Sequence, residues 1–280
     1  MNDAPYRPND AAADLLRQRY RDPALAAPEE WNSVLETLLA HRSVRAFLPD
    51  PVSEARLATI IAAASSAATS SNLQTWSVVA VRDPARKARL RPMCSNQAHI
   101  EEAPLFLVFL ADLARLEAIA TAKGATVEGT EFLEMLFIGI VDATLAAQNA
   151  VVALESLGLG SVYIGGIRNN PEQVAAELGL PPHVFPVFGL CIGTPDPARP
   201  TAIKPRLPQS TILHHEQYDE GQATEALAAY DDRMSAFQSE QEMPPEVWSS
   251  RTISRVRTPA ALSGRDRMRA ALANLGFALR

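Results

Sequence analysis

The segment spanning residues 131–157 constrains the fold more than any other part of the chain: it is apolar on almost every face and stops at Gly158. A surface helix keeps a charged side, so a helix without one has to be enclosed by other elements. Glycine is the usual residue at which a helix ends in the left-handed conformation. One long, central, buried helix is therefore expected, with a sheet to enclose it. The runs WSVVAV (76–81) and LFLVFL (105–110) are rich in β-formers, and the second is apolar throughout, as a strand buried on both faces would be. Residues 161–164 and 184–192 read as two further strands. Between them, Asn170 and Pro171 are placed as N-cap and first residue of a short helix that stops at Gly179. Upstream, Trp31, Val34, Leu35, Leu38 and Leu39 recur at helical spacing. A second amphipathic stretch covers 57–68, opened by a Ser53 cap without the acidic partner of a full capping box. The polar run Thr69, Ser70, Ser71 and Asn72 competes with the backbone for hydrogen bonds and reads as a loop.

Residues 1–30, rich in Ala, Pro, Asp and Arg, are read as an extension with one short helix around 11–20 and little core. Residues 31–280 form the main domain, ending in a charged, helical excursion from about 209 that SEQEMPPE interrupts. A chain of 280 residues buries enough apolar surface to fold without a metal or a disulfide staple. Its formal charge of -6, with the basic residues scattered, argues against a nucleic-acid partner. Cys94 and Cys191 lack metal-ligand spacing and read as ordinary thiols of a reducing compartment. The acidic, proline-containing N-terminus does not resemble a signal peptide, and the run 105–111 is too short to span a bilayer. A cytoplasmic protein, neither membrane-bound nor nucleic-acid-bound, is expected.

Three catalytic motifs fall away. The segment GLGSVY (158–163) starts like a dinucleotide fingerprint, but it places Tyr at the third small position and follows a helix instead of a strand. Neither a P-loop nor an HExxH sequence occurs. Two basic clusters remain, His41-Arg42-Ser43-Val44-Arg45 and Lys204-Pro205-Arg206. Each offers several charged donors from a short, restricted piece of chain, as a phosphate monoester requires; two solvated basic patches would read the same way. Tyr163-Ile-Gly-Gly166 leaves backbone N–H groups open to a flat ligand that no Cβ keeps away, or else forms a tight turn. The histidines at 99, 183, 214 and 215 stand beside no nucleophile.

Taken in order, HRSVRAF (41–47), TSSNLQ (69–74), ESLGLGSVYIGGIRNN (155–170), FGLCIGTP (188–195) and KPRLP (204–208) resemble the nitroreductase superfamily. The likeness is strongest to its oxygen-insensitive NADPH nitroreductases and NADPH-flavin oxidoreductases, and runs from about Trp31 to Arg280. The resemblance implies an α+β fold with a mixed, largely antiparallel central sheet flanked by helices, in an intertwined homodimer with tightly but non-covalently bound FMN. It implies that His41, Arg42, Ser43 and Arg45, with Lys204 and Arg206, hold the FMN phosphate, ribityl chain and pyrimidine edge. Gln97 would bond near the ribityl chain, Tyr163, Gly165 and Gly166 would border the flavin ring, and Ser70, Ser71 and Asn72 would reach the flavin of the other subunit. The implied chemistry is ping-pong, two electrons passing from NADPH or NADH through FMN to a nitroaromatic or similar small-molecule acceptor. The hydride chemistry is the cofactor's, so no protein acid or base is implied; Arg265 corresponds to an arginine that orients the substrate.

This sequence departs from that pattern in two places. QSEQEMPPEVW (238–248) carries acids and prolines where the relatives place arginines for the 2′-phosphate of NADPH. A preference for NADPH that is weakened, or reversed toward NADH, is expected from it. Asn72 stands where the relatives usually carry Phe. Two other functions share the pattern: a reductase that supplies reduced flavin to a partner, and a flavin-binding protein that does not turn over.

Overall fold

In a computed structural model, residues 10–219, 221 and 223–280 are described. In chain order the elements are α1 (Asp10–Tyr20), α2 (Ser33–Ala40), α3 (Glu54–Ser65), β1 (Trp76–Val81), α4 (Pro84–Met93), α5 (His99–Glu102), β2 (Leu105–Asp112), α6 (Ala114–Ala122), α7 (Leu133–Ser156), β3 (Gly160–Ile164), α8 (Pro171–Leu178), β4 (Val184–Gly193), α9 (Ala223–Glu240), α10 (Trp248–Val256) and α11 (Met268–Asn274). They divide between two compact units, one formed by Met1–Arg42 with Thr201–Leu262, the other by Ser43–Pro200 with Ser263–Arg280.

The second unit is built on a four-stranded sheet in the order β1-β2-β4-β3, with every neighbouring pair antiparallel. The expected parallel component is confined, among the described residues, to an isolated bridge between Ser43 and Ser161. Strand β2 explains the layering. Its side chains alternate between faces, so Phe106, Val108 and Leu110 join one core cluster and Leu105, Leu107 and Phe109 another. Fully burying side chains of this size stabilises by about 1.5–3 kcal/mol each. The second cluster is closed by α7, whose Ala146, Ala147 and Ala150 let the helix lie close to the sheet and to Ile60 and Ala64 of α3. Closer to its N-terminus, a Cβ on Gly139 would stand 2.9 Å from the Ala111 Cβ.

Helix α7 is long and apolar enough to cross a bilayer by length and composition, and it packs here as the core helix the sequence predicts. The expectation of burial on every side is corrected: Phe137, Val141 and Leu145, four residues apart, are 54, 52 and 42% exposed. The sheet and α3 cover the other faces and leave this stripe bare. Gly158, at φ +78°, ends the helical segment, and Gly160 opens β3. The GLGSVY segment thus makes a helix-to-strand turn, the reverse of a dinucleotide fingerprint. Pro171 does start α8, but the Asn170 side chain does not cap it; its Nδ2 donates to the Met93 carbonyl instead, at 3.2 Å.

In the first unit, α1 places Ala12 and Ala13 in buried positions, so the described part of the N-terminal segment carries core that its composition does not suggest. The segment is tied to α9 by Arg21–Glu240 (2.7 Å) and Arg233–Asp22 (3.3 Å) ion pairs, and the Arg21 guanidinium lies 5.4 Å from the Phe237 ring centre. The described residues 10–42 accordingly group with 201–262. The apolar cluster here is small: Tyr230, Met234 and Phe237, with Trp248 edge-on to Tyr230 at 5.0 Å.

Candidate functional site

In the first unit the two basic segments meet through a residue that the sequence did not single out. Arg19 is 6% exposed. Its guanidinium donates to the carbonyls of Leu39 (2.8 Å), His41 (2.5 Å) and Lys204 (3.0 Å). Its own carbonyl accepts from the Arg206 N–H at 2.9 Å. One fork thus clamps the chain at His41 to the chain at Lys204, and the side chains of Arg42, Lys204 and Arg206 are left exposed around it. Buried Pro205 is fixed by the Tyr230 hydroxyl, which donates to its carbonyl at 3.0 Å. Backbone held this firmly presents its cations without the ordering cost that free surface chains incur.

In the second unit, Ser43 and Arg45 flank Val44, whose N–H donates to Ser161 O at 2.8 Å and so lays the segment along β3. Burial, and then the charge of Arg45, push His99 below its ordinary value. Downstream of β3 the two glycines serve different ends. A Cβ on Gly166 would come within 2.8 Å of the Cys94 carbonyl and 3.0 Å of Gln97 Nε2, and Gln97 itself donates to that carbonyl at 2.9 Å. Gly166 is therefore bare because the chain packs there. Gly165 meets no backbone: a Cβ would find only the Nη2 atoms of Arg168 at 3.6 Å and Arg265 at 3.9 Å. Arg265 is braced by Asn169 Oδ1 (2.8 Å), and Asn169 donates in turn to Ser95 Oγ (2.6 Å). Arg168 donates to the Val187 carbonyl; burial, and then the charge of Arg265, push its guanidinium below the ordinary arginine value. Two cations therefore converge on the side of Gly165 where a Cβ would stand. Tyr163, one residue before Ile164, stands edge-on to Phe188 at 5.1 Å, and burial raises its hydroxyl above the usual phenol value.

The loop carrying Ser70, Ser71 and Asn72 is organised by Asp142, a carboxylate 1% exposed in the middle of α7. It accepts from Thr69 Oγ1 (2.7 Å), Ser70 N (3.2 Å), Thr75 N and Thr75 Oγ1 (both 2.9 Å). Thr69 Oγ1 also receives the Gln74 N–H at 2.8 Å. The loop's ends are pinned while Ser71 and Asn72 sit exposed in the left-handed region, at φ +47° and +55°.

Sequence reasoning missed Arg19, Asp142 and Arg168. A signal existed for Asp142: a lone carboxylate within an apolar run expected to be buried must find hydrogen-bond donors. Arg168 sits inside a recognised block. For Arg19, in a segment read as an extension, the sequence offered no cue.

Known proteins share the sequence and fold of this chain. The sequence profile of the nitroreductase family matches residues 38–194, and that of the nitroreductase family, C-terminal domain, matches residues 204–280. The chain is 43% identical over 207 residues to an oxygen-insensitive NADPH nitroreductase of Salmonella typhimurium, covering 72% of this chain and 81% of that protein. It is 37% identical over 228 residues to an FMN reductase (NADPH) of Bacillus subtilis, covering 80% of this chain and 91% of that one. The solved structure of B. megaterium NfrA2 superposes with a TM-score of 0.84 at 37% identity, over 89% of this chain and all of that one. Sequence blocks in order, an antiparallel sheet wrapped on a central helix, and both profiles along the chain lead to one conclusion: this chain belongs to the nitroreductase family.

Proposed function

We propose that the chain is an FMN-dependent NAD(P)H oxidoreductase that delivers two electrons to nitroaromatics or similar small electrophiles. The observation that carries this reading is the pair of guanidiniums, Arg168 and Arg265, converging on the open face of Gly165. A cradle that a Cβ would fill, faced by cations, suits the edge of an electron-rich ring whose reduced form is anionic. In the first unit, the cations clamped around Arg19 suit a phosphate. When bound, FMN supplies hydride acceptance and donation at its N5.

The protein's part is to hold and orient. His41, Arg42, Lys204 and Arg206 of the first unit are assigned to the phosphate and ribityl oxygens. Ser43 and Arg45 of the second are assigned to ribityl oxygens and the pyrimidine edge, with Gln97 near the ribityl group. Tyr163, Gly165 and Gly166 border the ring, Gly166 by fixing the backbone and Gly165 by leaving its amide approachable. Arg265, with Arg168 beside it, orients oxygens of the acceptor or of the nicotinamide. Ser70, Ser71 and Asn72 are assigned to the flavin of a second subunit.

A second copy is supported by the bare stripe of Phe137, Val141 and Leu145, since an apolar helix face of this kind calls for a partner. Two buried free thiols, Cys94 and Cys191, suit a cytoplasmic protein. A reductase that releases reduced flavin is the second reading, favoured by the likeness to an FMN reductase.

The test is to purify the protein, record its visible spectrum and molecular mass in solution, and add NADH or NADPH without air. A yellow dimer bleached by either donor and reoxidised by a nitroaromatic bears out the proposal. A yellow protein that neither donor bleaches is a flavin binder only, and a colourless one that FMN does not reconstitute defeats the assignment.

A further inference from the structure

Two arginines at the start of the C-terminal segment, two residues apart, are held in opposite ways. Arg267 meets Glu172 fork to fork, Nη1 on Oε1 at 2.6 Å and Nη2 on Oε2 at 2.8 Å, so a carboxylate answers its charge. Arg265 donates its Nε to the Asn169 side-chain amide at 2.8 Å, an acceptor that orients a guanidinium without neutralising it. Its Nη2 lies 3.9 Å from where a Cβ on Gly165 would stand, and Arg168 Nη2 lies 3.6 Å from the same point. Arg168, too, is gripped by a neutral group, the Val187 carbonyl.

Asn169 is fixed from both ends of its amide. It is 8% exposed, and while its oxygen accepts from Arg265 its nitrogen donates to Ser95 Oγ at 2.6 Å. The chain entering Arg265 packs on the same residue: Gly264 turns at φ +85°, and a Cβ there would stand 3.0 Å from the Asn169 carbonyl oxygen. Bringing two like charges to one point is unfavourable, and burial, then the charge of Arg265, already push the Arg168 guanidinium down. A fold that gives Arg267 a carboxylate and these two arginines neutral acceptors suits a ligand that brings the negative charge itself.

We propose that Asn169 is the positioning residue of this pair, aiming Arg265 while leaving its charge to be used, and that the pair favours an acceptor bearing a carboxylate, such as 4-nitrobenzoate, over the neutral ester. This rests on the function proposed above and names the class of acceptor.

The test takes the FMN-loaded protein with one nicotinamide donor and compares kcat/KM for 4-nitrobenzoate and methyl 4-nitrobenzoate in the wild type, Asn169→Asp and Asn169→Ala. Asn169→Asp keeps the shape and both partners, because the Ser95 hydroxyl can donate where it accepted, but it sets a negative charge against Arg265. The nitrobenzoate-to-ester ratio should fall at least about tenfold in Asn169→Asp, through KM for the nitrobenzoate. Asn169→Ala should lower it as well, since a guanidinium that is not aimed meets the carboxylate less well. Benzoate, which has no nitro group to reduce, should bind by calorimetry at least about tenfold more tightly than benzamide, and Asn169→Asp should erase the difference. Benzoate and benzamide bound alike by the wild type, or a ratio unmoved by either variant, overturns the proposal. So does an Asn169→Asp protein whose Kd for FMN rises while its discrimination between the two acceptors stays intact, since the guanidiniums then serve the flavin. Because the calorimetry needs no turnover, Asn169-dependent preference for benzoate in a protein that reduces no acceptor would fault the proposed function and leave the anion pocket standing.

Discussion

Each unit organises a set of candidate site residues around a buried charge, and the two do it with opposite signs. In the second unit Asp142 is an anion inside an apolar core, collecting donors from Thr69, Ser70 and Thr75 so that an exposed loop is held at its ends. In the first unit Arg19 is a cation collecting carbonyls from two segments about 160 residues apart in sequence, beside a core of only a few apolar side chains. The anion sits on an element that would fold without it, since α7 is anchored by the sheet. The cation is itself the tie. A buried charge is costly unless its hydrogen-bonding capacity is met. Here that requirement works as a jig, making a position in the backbone obligatory wherever the charge is present.

Breaking the anionic jig should have the largest effect. Asp142→Ala leaves several buried donors without an acceptor and should lower the free energy of unfolding by about 3–5 kcal/mol, read by urea titration. Asp142→Asn keeps two lone pairs and should lose less. Comparable losses in the two variants would mean that the carboxylate's charge contributes more than its geometry. Arg19→Ala should cost about 2–3 kcal/mol and raise the Kd for FMN at least about tenfold. Arg19→Lys, which lacks the planar fork, should not restore flavin binding. Should Arg19→Ala bind flavin normally, the clamp is structural and the phosphate reading of the first unit fails.

The glycine pair gives an internal comparison of intermediate size. Gly166→Ala drives a methyl group into the Cys94 carbonyl and should destabilise by about 1–3 kcal/mol. Gly165→Ala should leave stability within about 0.5 kcal/mol and weaken flavin binding instead. If the two exchange behaviour, the division between packing glycine and ligand glycine is wrong.

The smallest effect is a pH dependence. Glu172 is held down to about 2, first by its hydrogen bond to Arg267 and also by Asn274 of α11. A depressed carboxylate contributes stability that is present above its unfolded value and lost as pH falls toward the folded one, here between about pH 5 and 2. The pair is partly solvated, so Glu172→Gln should cost under about 1 kcal/mol at pH 7 and flatten that acid limb of a thermal melt series.

The sheet was legible because its signals are local. An all-apolar β2 and the alternating faces of a strand need only the identities of neighbouring residues, and the central helix needed only a run of apolar residues and a terminal glycine. The flavin-site blocks were legible through resemblance, and the structure then separated residues that the motif lumps together, such as Gly165 from Gly166. Asn170 holds the N-cap position read for it, but its side chain makes no capping bond and is turned instead to a tertiary acceptor, the Met93 carbonyl.

By itself, then, the sequence determined the four strands, the central helix and which stretches carry clustered cations, because periodicity and residue chemistry act over a few positions. Only the tertiary structure decided that Arg19 joins His41 to Lys204, that Asp142 pins the 69–75 loop, and that Arg168 stands with Arg265 at Gly165. Each of these depends on hydrogen bonds or packing between positions far apart in the chain, and whether a charge is buried, paired or presented is settled only when those positions meet.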